Sequence, residues 1–282
     1  MPAQRITGAG LGLRRELMLP LQTQMPAVID FFEISPENWI DLGGHRAKML
    51  RWFTERFPFV AHGLSLSLGG LAPLDVAFLK QIKAFLVEHR IPLYTEHLSY
   101  CNDGAHLYEL LPIPFTEEAV HYVAERIRRT QDILEQKIAL ENASYYVAAP
   151  IADMDELSFI RAVVEEADCL LHLDVNNIYV NSVNHDYDPY AFLLGLPGER
   201  IVYIHVAGHD QERPDLIIDT HGQQVIDPVW DLLDTAYDAF GVFPTLLERD
   251  FNIPPLELLL TEVEHIAERQ STHQVSQLKR TA

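Results

Sequence analysis

Residues 169–180 read CLLHLDVNNIYV, a strongly apolar run that ends in the carboxylate Asp174 and the two amides Asn176 and Asn177. A short apolar run of this kind is typical of a buried strand in a parallel sheet. An aspartate at the end of such a strand loses its water, and an unpaired buried charge is costly. Asp174 therefore needs a cationic side chain, a network of hydrogen-bond donors or a metal ion beside it.

The same pattern recurs along the chain, because short runs rich in Val, Ile, Leu, Phe and Tyr alternate with longer segments of helical spacing. Alternation of this kind indicates strand-helix units and a parallel sheet. The predicted strands are TGAGLGL, AVIDFFEIS, FPFVAHGLSL, IPLYTEHLS, KIALENAS, DCLLHLDVN, RIVYIHVAG and FPTLLERD. Helices are predicted between them at 75–89, 117–135, 155–167 and 228–240. Eight such units favour an α/β protein with a (β/α)8 TIM barrel over an open sheet.

The domain organisation is simple, since no low-complexity linker interrupts the 282 residues. We expect a single TIM-barrel domain over residues 1–268, followed by a polar C-terminal tail, residues 269–282, that frays. The hydrophobic fraction of 48% is sufficient for a large core.

Charge and cysteine content exclude several classes of function. The chain has 21 basic and 41 acidic residues, a net charge of −20, which disfavours a nucleic-acid partner because phosphate binding depends on Lys and Arg. Cys101 and Cys169 form neither a CxxC metal motif nor a disulfide framework, and the N-terminus lacks an apolar signal core. No apolar run reaches the ~18 to 20 residues of a membrane span. We expect a reduced, cytoplasmic protein that does not enter a membrane.

Ionisable residues stand at the carboxyl ends of seven predicted strands. In a parallel barrel these ends meet at one rim, where TIM-barrel enzymes carry their active sites. The seven residues are Glu33, His62, His97, Glu141, Asp174, His205 and Glu248. So many acidic groups around one small opening repel each other strongly unless cations lie among them. The rim is therefore predicted to bind metal ions.

The predicted ligands include no thiolate, which favours iron, manganese or zinc over copper(I). A second motif, IIDTHG, follows the seventh strand and places Asp219 and His221 two residues apart, on one side of an extended segment. With the rim already rich in ligands, this pair is predicted to bind a further ion.

The order of these residues resembles the metal-ligand order of the xylose-isomerase-like barrel superfamily, in particular its trinuclear zinc endonucleases of abasic-site repair. Those enzymes carry His three residues after the strand-six Asp, where this chain carries Asn177. A neutral amide oxygen is a weaker ligand, so the third ion is expected to be held less tightly. Asn176, on the same strand face as Asp174, is the alternative ligand.

The resemblance is closer still to the methanobactin-biosynthesis-B-like family of multinuclear non-heme iron-dependent oxidative enzymes. The segments that carry it extend over nearly the whole chain: GAGLGLR, FFEISPENW, HGLSLSLGG, EHLSY, LENAS, LDVNNIYVN, YIHVAGH and LLERD. The resemblance implies a barrel that holds two or three iron ions, mixed Fe(II) and Fe(III), and oxidises cysteine residues of a ribosomally made precursor peptide with dioxygen. It also implies a separate partner protein that binds the peptide leader.

The resemblance further implies a role for each ligand. His62, His97 and Glu141 would hold one iron, and Glu141 would bridge to a second iron held by Asp174, His205 and Glu248. Asn177, Asp219 and His221 would hold the third ion. Glu141 and Asp250 are the expected catalytic residues, with Asp250 as a base on the same strand face as Glu248. A salt bridge with an arginine is the alternative role for Asp250.

Three further histidines are expected to have structural roles. His172 is expected to support the ligands or the core, whereas His185 and His209 are expected in solvent-exposed loops.

The competing functions are a zinc-dependent phosphodiesterase like endonuclease IV, a sugar isomerase or epimerase, and a non-catalytic metal-binding scaffold. The charge of −20 weakens the first, and the absence of Lys from the rim motifs weakens the second.

Overall fold

The computed structural model describes residues 5–102 and 106–281. Its strands, in chain order, are β1 Ala9–Gly12, β2 Phe31–Ile34, β3 Phe59–Gly63, β4 Leu93–His97, β5 Tyr100–Asn102, β6 His106–Leu111, β7 Ala139–Glu141, β8 Leu170–Asp174, β9 Ile201–Val206, β10 Asp210–Arg213, β11 Leu216–Ile218 and β12 Thr245–Leu247. Eight of them form a closed parallel barrel in the order β1-β12-β9-β8-β7-β4-β3-β2. Each predicted strand lies in this barrel, so the TIM-barrel prediction is confirmed.

Helices alternate with the barrel strands and cover the outside of the barrel. They are α1 Arg15–Thr23, α2 Gly44–Thr54, α3 Val76–His89, α4 Glu117–Leu134, α5 Glu156–Ala167, α6 Val175–His185, α7 Pro189–Gly195, α8 Asp227–Phe240 and α9 Leu256–Thr281, with short 3-10 turns at Pro36–Asn38 and Gly198–Arg200. Side-chain caps fix several helix starts. Asp174 accepts a hydrogen bond from the Asn177 amide at 2.7 Å, and this bond starts α6 directly where β8 ends.

Two β-hairpins that the sequence analysis did not predict lie in the connections at the rim. Strands β5 and β6 pair between β4 and α4, and strands β10 and β11 pair between β9 and α8. Both pairings contain a register irregularity, which obscures the alternation that identifies a strand in the sequence.

The lower part of the barrel interior is an apolar plug. Its buried residues are Phe31, Val60, Tyr203 and Leu246. The rings of Phe31 and Tyr203 meet edge to face across the barrel, 5.8 Å apart. Because side chains two residues apart on a strand share a face, each plug residue places a polar residue directly above it. These polar residues are Glu33, His62, His205 and Glu248.

The last helix extends further toward the C-terminus than the sequence analysis expected. The predicted boundary at residue 268 falls inside α9, which continues to Thr281. Gln270 anchors this part of α9, since its buried amide donates to the carbonyl oxygens of Gly8 and Phe243 at 2.9 and 3.0 Å. Residues 1–4 of the predicted domain and residue 282 of the predicted tail lie outside the described residues.

No helix within residues 5–102 and 106–281 combines the length and the apolar character that a membrane span requires.

Gly10 on β1 provides the space that the Phe31 ring occupies in the plug, since a Cβ at this position would lie 2.4 Å from a ring carbon. Gly10→Ala is therefore expected to lower the free energy of unfolding by about 1 to 3 kcal/mol. Urea denaturation followed by circular dichroism measures this change.

Gly12 on the same strand is the matched control, because its added Cβ would meet its nearest atom at 3.6 Å, an ordinary contact. Gly12→Ala is expected to change stability by less than about 0.5 kcal/mol. Equal destabilisation by the two substitutions would contradict the plug packing.

Candidate metal centre

The structure brings the predicted rim residues together in one buried layer above the plug. Strand register aligns them, because His97 pairs with Glu141 between β4 and β7, and Asp174 pairs with His205 between β8 and β9. Glu248 directly follows β12. The prediction that the strand ends converge is confirmed.

Glu141 lies at the centre of this layer. Its Oε2 atom is 2.9 Å from Nε2 of His62, 3.4 Å from Nε2 of His97 and 3.8 Å from Nδ1 of His172. Its Oε1 atom is 3.9 Å from Nδ1 of His205. The two oxygens of one carboxylate thus face imidazoles from different strands, an arrangement that suits a ligand shared by two ions.

His205 connects Glu141 to the opposite side of the layer. Its Nδ1 atom is 3.9 Å from Oδ2 of Asp174 and 3.0 Å from Oε2 of Glu248. The same Glu248 oxygen is 3.4 Å from Nδ1 of His221. The layer therefore extends without interruption from His62 to His221.

Within residues 5–102 and 106–281, four groups of three side chains have ligand atoms within 4.8 Å of one another. They are His62, Glu141 and His172; Glu141, Asp174 and His205; Glu33, His205 and Glu248; and Asp174, His221 and Glu248. Neighbouring groups share a residue, so Glu141, Asp174, His205 and Glu248 each belong to two candidate groups.

The donor atoms fit metal ions, because several of them are buried without a hydrogen-bond partner. They are both ring nitrogens of His172, Oδ2 of Asp174 and Oδ1 of Asn177. Three further atoms lie close to an ion-pair partner but make no hydrogen bond with it: Oε2 of Glu141 at 2.9 Å, Nδ1 of His205 at 3.0 Å and Nε2 of His221 at 2.7 Å. Buried polar atoms in folded proteins are almost always paired, so unpaired atoms concentrated in one place require an explanation. Cations bound among these oxygens and nitrogens provide one.

Outer partners fix which ring nitrogen of each histidine faces the centre. Nδ1 of His62 bonds with Oγ1 of Thr95 at 2.6 Å, and Nδ1 of His97 donates to the carbonyl oxygen of Gly63 at 3.1 Å. In both residues Nε2 is left for the centre. Such partners orient ligand imidazoles in metalloproteins.

His205 is oriented in the opposite sense. Its Nε2 atom donates to Oε2 of Glu33 at 3.0 Å, and the hydroxyl of Tyr203 donates to the same oxygen at 3.0 Å. Nδ1 therefore faces the centre. Glu33, which the sequence analysis had placed at the rim, holds the His205 ring in this orientation.

The surrounding charges set the protonation of the ligands in the metal-free protein. Burial opposes a charged His97, but Glu141 and Glu96 outweigh it and raise the pKa of His97 to about 9. Burial likewise opposes ionisation of Glu141, yet His62 and His97 hold the pKa of Glu141 well below its usual range. Burial, with the charge of Glu141, raises the pKa of Asp174 well above its usual range.

The two amides after Asp174 have different surroundings. Asn176 is fully paired, since its Nδ2 donates to Oδ1 of Asp219 at 2.8 Å and its Oδ1 bonds with Nδ1 of His209 at 2.7 Å. Asn177 donates through Nδ2 to Oε1 of Glu141 at 3.3 Å, while its Oδ1 is buried and unpaired. The free oxygen favours Asn177 over Asn176 as a ligand.

Asp219 and His221 contact each other, with Oδ1 and Nε2 2.7 Å apart. The expectation of an extended backbone is wrong at His221, because its φ of 50° lies in the left-handed region. This turn directs the ring toward Glu248. Ser144 donates to Oδ2 of Asp219 at 2.9 Å, so both Asp219 oxygens have contacts.

The three histidines that were expected to have structural roles lie in different surroundings. His172 is completely buried, and its Nδ1 atom lies 3.8 Å from Oε2 of Glu141, a position open to either a supporting role or ligation. The expectation of an exposed His209 is wrong, because its ring is buried and stacks on Tyr179. His185 ends α6 rather than lying in a loop, and its ring stacks on Tyr145.

Arg14 is the rim residue that the sequence analysis missed. It forms ion pairs with Asp250 and, at 3.4 Å, with Oε1 of Glu248. It lies four residues after Gly10 and two residues beyond the end of β1, and the even spacing from Gly10 was the available signal. Arg249 instead pairs with Glu262 at 2.6 Å.

An open cavity of about 310 Å³ lies above the layer. Leu64, Leu107, Leu110 and Phe251 contribute apolar surface to it, and Ser144, Tyr146 and Thr220 contribute hydroxyl groups. Glu141, Asn177 and Asp250 also line it. A ligand that enters this cavity therefore reaches the centre directly.

Comparison with known proteins gives a consistent family assignment. The profile of a family described as "RiPP precursor modification enzyme MbnB/TglH/ChrH" matches residues 8–271, where RiPP denotes a ribosomally synthesised and post-translationally modified peptide. A UPF0276 protein of Nitrosospira multiformis is 69% identical over 269 residues, 95% of each chain. A UPF0276 protein of Pseudomonas aeruginosa is 50% identical over 279 residues, 99% of this chain and 98% of the relative.

Solved structures show the fold at much lower identity. One is a xylose isomerase-like TIM-barrel protein of Mycobacterium smegmatis in complex with magnesium, with a TM-score of 0.62 at 11% identity. The match covers 97% of this chain and 99% of the chain of that protein. D-psicose 3-epimerase of Clostridium cellulolyticum has a TM-score of 0.58 at 10% identity, with 95% and 97% covered. The barrel is thus xylose-isomerase-like, and the chain belongs to the MbnB/TglH/ChrH family of RiPP precursor modification enzymes.

Proposed function

We propose that this protein is a multinuclear iron-dependent oxidase that uses dioxygen to modify cysteine residues of a ribosomally synthesised precursor peptide. The observation that carries the proposal is the layer of unpaired, buried nitrogen and oxygen donors beneath an open cavity in a member of this family. We further propose that a partner protein binds the peptide leader and that the reaction takes place in the cytoplasm.

The proposed ligand sets follow the three parts of the layer. His62, His97 and Glu141 would hold the first iron, and Glu141 with Asp174, His205 and Glu248 would hold the second. Asn177, Asp219 and His221 would hold the third. His172, whose Nδ1 atom is 3.8 Å from Oε2 of Glu141, would be a further ligand of the first iron. Bound iron would supply electron transfer with dioxygen and would lower the pKa of a coordinated substrate thiol.

Asp250 is the proposed base in the cavity wall. Burial and the charge of Glu248 raise the pKa of Asp250, but His221 and Arg14 outweigh them and hold this pKa below its usual value. The carboxylate is therefore ionised at neutral pH. Its Oδ2 atom, 3.4 Å from Nδ1 of His221, would accept a substrate proton. Arg14 would act as a positioning residue through its ion pair with Asp250.

The cavity suits a segment of extended peptide. Its volume of about 310 Å³ admits one side chain with its neighbouring peptide groups. Among the described residues that line it, none is lysine, a residue that sugar isomerases of this superfamily commonly use. The leucine and phenylalanine walls favour an apolar peptide environment over a sugar.

The direct test combines metal analysis with a peptide assay. Aerobically purified protein is expected to contain more than one iron per chain, and a cysteine peptide incubated with protein, iron, reductant and air is expected to change mass. The same peptide with Ser in place of Cys is the control. Zinc at one ion per chain, with no mass change, would reject the oxidase in favour of the zinc phosphodiesterase or isomerase reading.

Glu141→Ala is expected to remove two ions together, because both oxygens of Glu141 face ligand groups on different sides of the layer. Elemental analysis of the purified variant measures the loss. Glu264→Ala on the exposed face of α9 is the control and is expected to keep the full metal content. Loss of a single ion from Glu141→Ala would show that Glu141 does not bridge.

Asn177→Ala is expected to weaken binding of the third ion alone, because it removes the unpaired Oδ1 atom. The loss of this ligand is expected to lower the affinity for the third ion roughly tenfold to hundredfold, on the scale seen for groups that support metal ligands. Metal titration of Asn177→Ala and Asn176→Ala measures this effect. A larger effect of Asn176→Ala on the third ion would reverse the assignment.

Metal binding is expected to release protons. His97 has a pKa of about 9, above the ordinary value of 6.5, so it is protonated at neutral pH and must lose its proton before it binds a cation. Affinity for Zn²⁺ should therefore rise as the pH rises toward 9. Calorimetry in two buffers of different ionisation enthalpy measures the protons released, and identical heats in both would contradict the expectation.

A further inference from the structure

A second cavity, of about 420 Å³, lies between the start of α5 and the turn that joins α6 to α7. We call it the side cavity. Its aromatic residues are Phe115, Tyr145, Tyr187 and Phe192, and its carboxyl groups belong to Asp155, Glu156 and Asp188. Among the described residues that line it, none is lysine or arginine.

The aromatic residues form well-packed walls. The rings of Tyr187 and Phe192 stack 5.0 Å apart, and those of Phe115 and Tyr145 meet edge to face at 6.0 Å. The faces of such rings carry partial negative charge and attract cations. The walls therefore favour a ligand that combines positive charge with a flat or apolar body.

Glu156 supplies the carboxyl group that lacks a counter-charge. Its Oε2 accepts a hydrogen bond from the hydroxyl of Tyr145 at 3.0 Å, and its Oε1 accepts one from Nδ2 of Asn181 at 3.4 Å. Within the described chain, no lysine, arginine or histidine forms an ion pair with it. Burial, with the nearby charge of Asp155, raises the pKa of Glu156 to about 8. At neutral pH the carboxyl is therefore mostly protonated, and a cationic ligand beside it would lower its pKa and favour the carboxylate.

The other two carboxylates already have structural functions. Oδ1 of Asp155 accepts the amide of Ser158 at 2.7 Å at the start of α5, and Oδ1 of Asp188 accepts the amide of Tyr190 at 2.9 Å at the start of α7. Asp155 and Asp188 therefore each serve as the N-cap of a helix. Glu156 caps neither helix and is held by the side chains of Tyr145 and Asn181.

The side cavity is adjacent to the metal centre. Tyr145 lines it, whereas the preceding residue, Ser144, lines the cavity above the metal layer and bonds to Asp219. Consecutive residues of one segment thus line the two cavities, and an extended peptide that spans this segment would contact both.

We propose that the side cavity binds the guanidinium group of an arginine residue in the peptide substrate, with Glu156 as its carboxylate partner. Arginine is preferred to lysine because its planar group stacks on aromatic rings and forms paired hydrogen bonds with a carboxylate. The assignment to the peptide depends on the proposed function, whereas the recognition of arginine does not. The side cavity thereby selects substrates with an arginine near the modified cysteine.

The test uses metal-free protein and two small probes, N-acetyl-arginine amide and its neutral analogue N-acetyl-citrulline amide. Saturation-transfer NMR with titration is expected to show that the arginine probe binds about tenfold more tightly, since its hydrogen bonds to Glu156 are charge-assisted. Glu156→Gln is expected to remove this difference. Glu165→Gln, on the exposed face of the same helix, is expected to keep it.

Ala191→Trp is a second variant that leaves Glu156 intact. Ala191 is an exposed residue of the cavity wall, so the indole is expected to fill the side cavity and abolish binding of the arginine probe. Equal binding of the two probes, tighter binding of N-acetyl-lysine amide, or unchanged binding in Ala191→Trp would overturn the proposal. No metal or oxidation enters this test, so its outcome is separate from that of the proposed oxidase activity.

Discussion

The buried layer of carboxylates and imidazoles at the barrel mouth depends on neutralisation by cations. Two like charges about 4 Å apart repel by about 4 kcal/mol at an effective dielectric constant of about 20. Glu141, Asp174 and Glu248 all lie within 4 Å of Nδ1 of His205, since these distances are 3.9, 3.9 and 3.0 Å. In the metal-free protein, protonation offsets part of this repulsion, because the pKa values of Asp174 and His97 are both raised. Under the proposed function, metal ions would replace these protons and would contact the unpaired donor atoms.

The barrel produces this layer through strand parity. Phe31, Val60, Tyr203 and Leu246 form an apolar floor, and the residue two positions later on each strand carries the polar group above it. The floor excludes water from below, so electrostatic interactions in the layer are strong. Thr95, the Gly63 carbonyl and Glu33 then fix the ring nitrogens, and ions would meet ligands that are already oriented.

The sequence predicts the barrel and the strand-end residues well, because both depend on short-range periodicity. Strand parity alone places His62, His97 and His205 on the inward face. Arg14 and the buried position of His209 were missed, since each depends on contacts between distant segments, with Asp250 and with Asn176. The two hairpins were missed because their register irregularities interrupt the alternating pattern. The choice between the two amides after Asp174 required their hydrogen-bond partners.

The most direct measurement is a crystal structure of the metal-replete protein with anomalous diffraction data collected on both sides of the iron absorption edge. The account predicts at least two iron peaks within the layer, one on each side of Glu141, with ligands at bonding distance. Absence of anomalous peaks in the layer, with the same carboxylates still buried together, would contradict it.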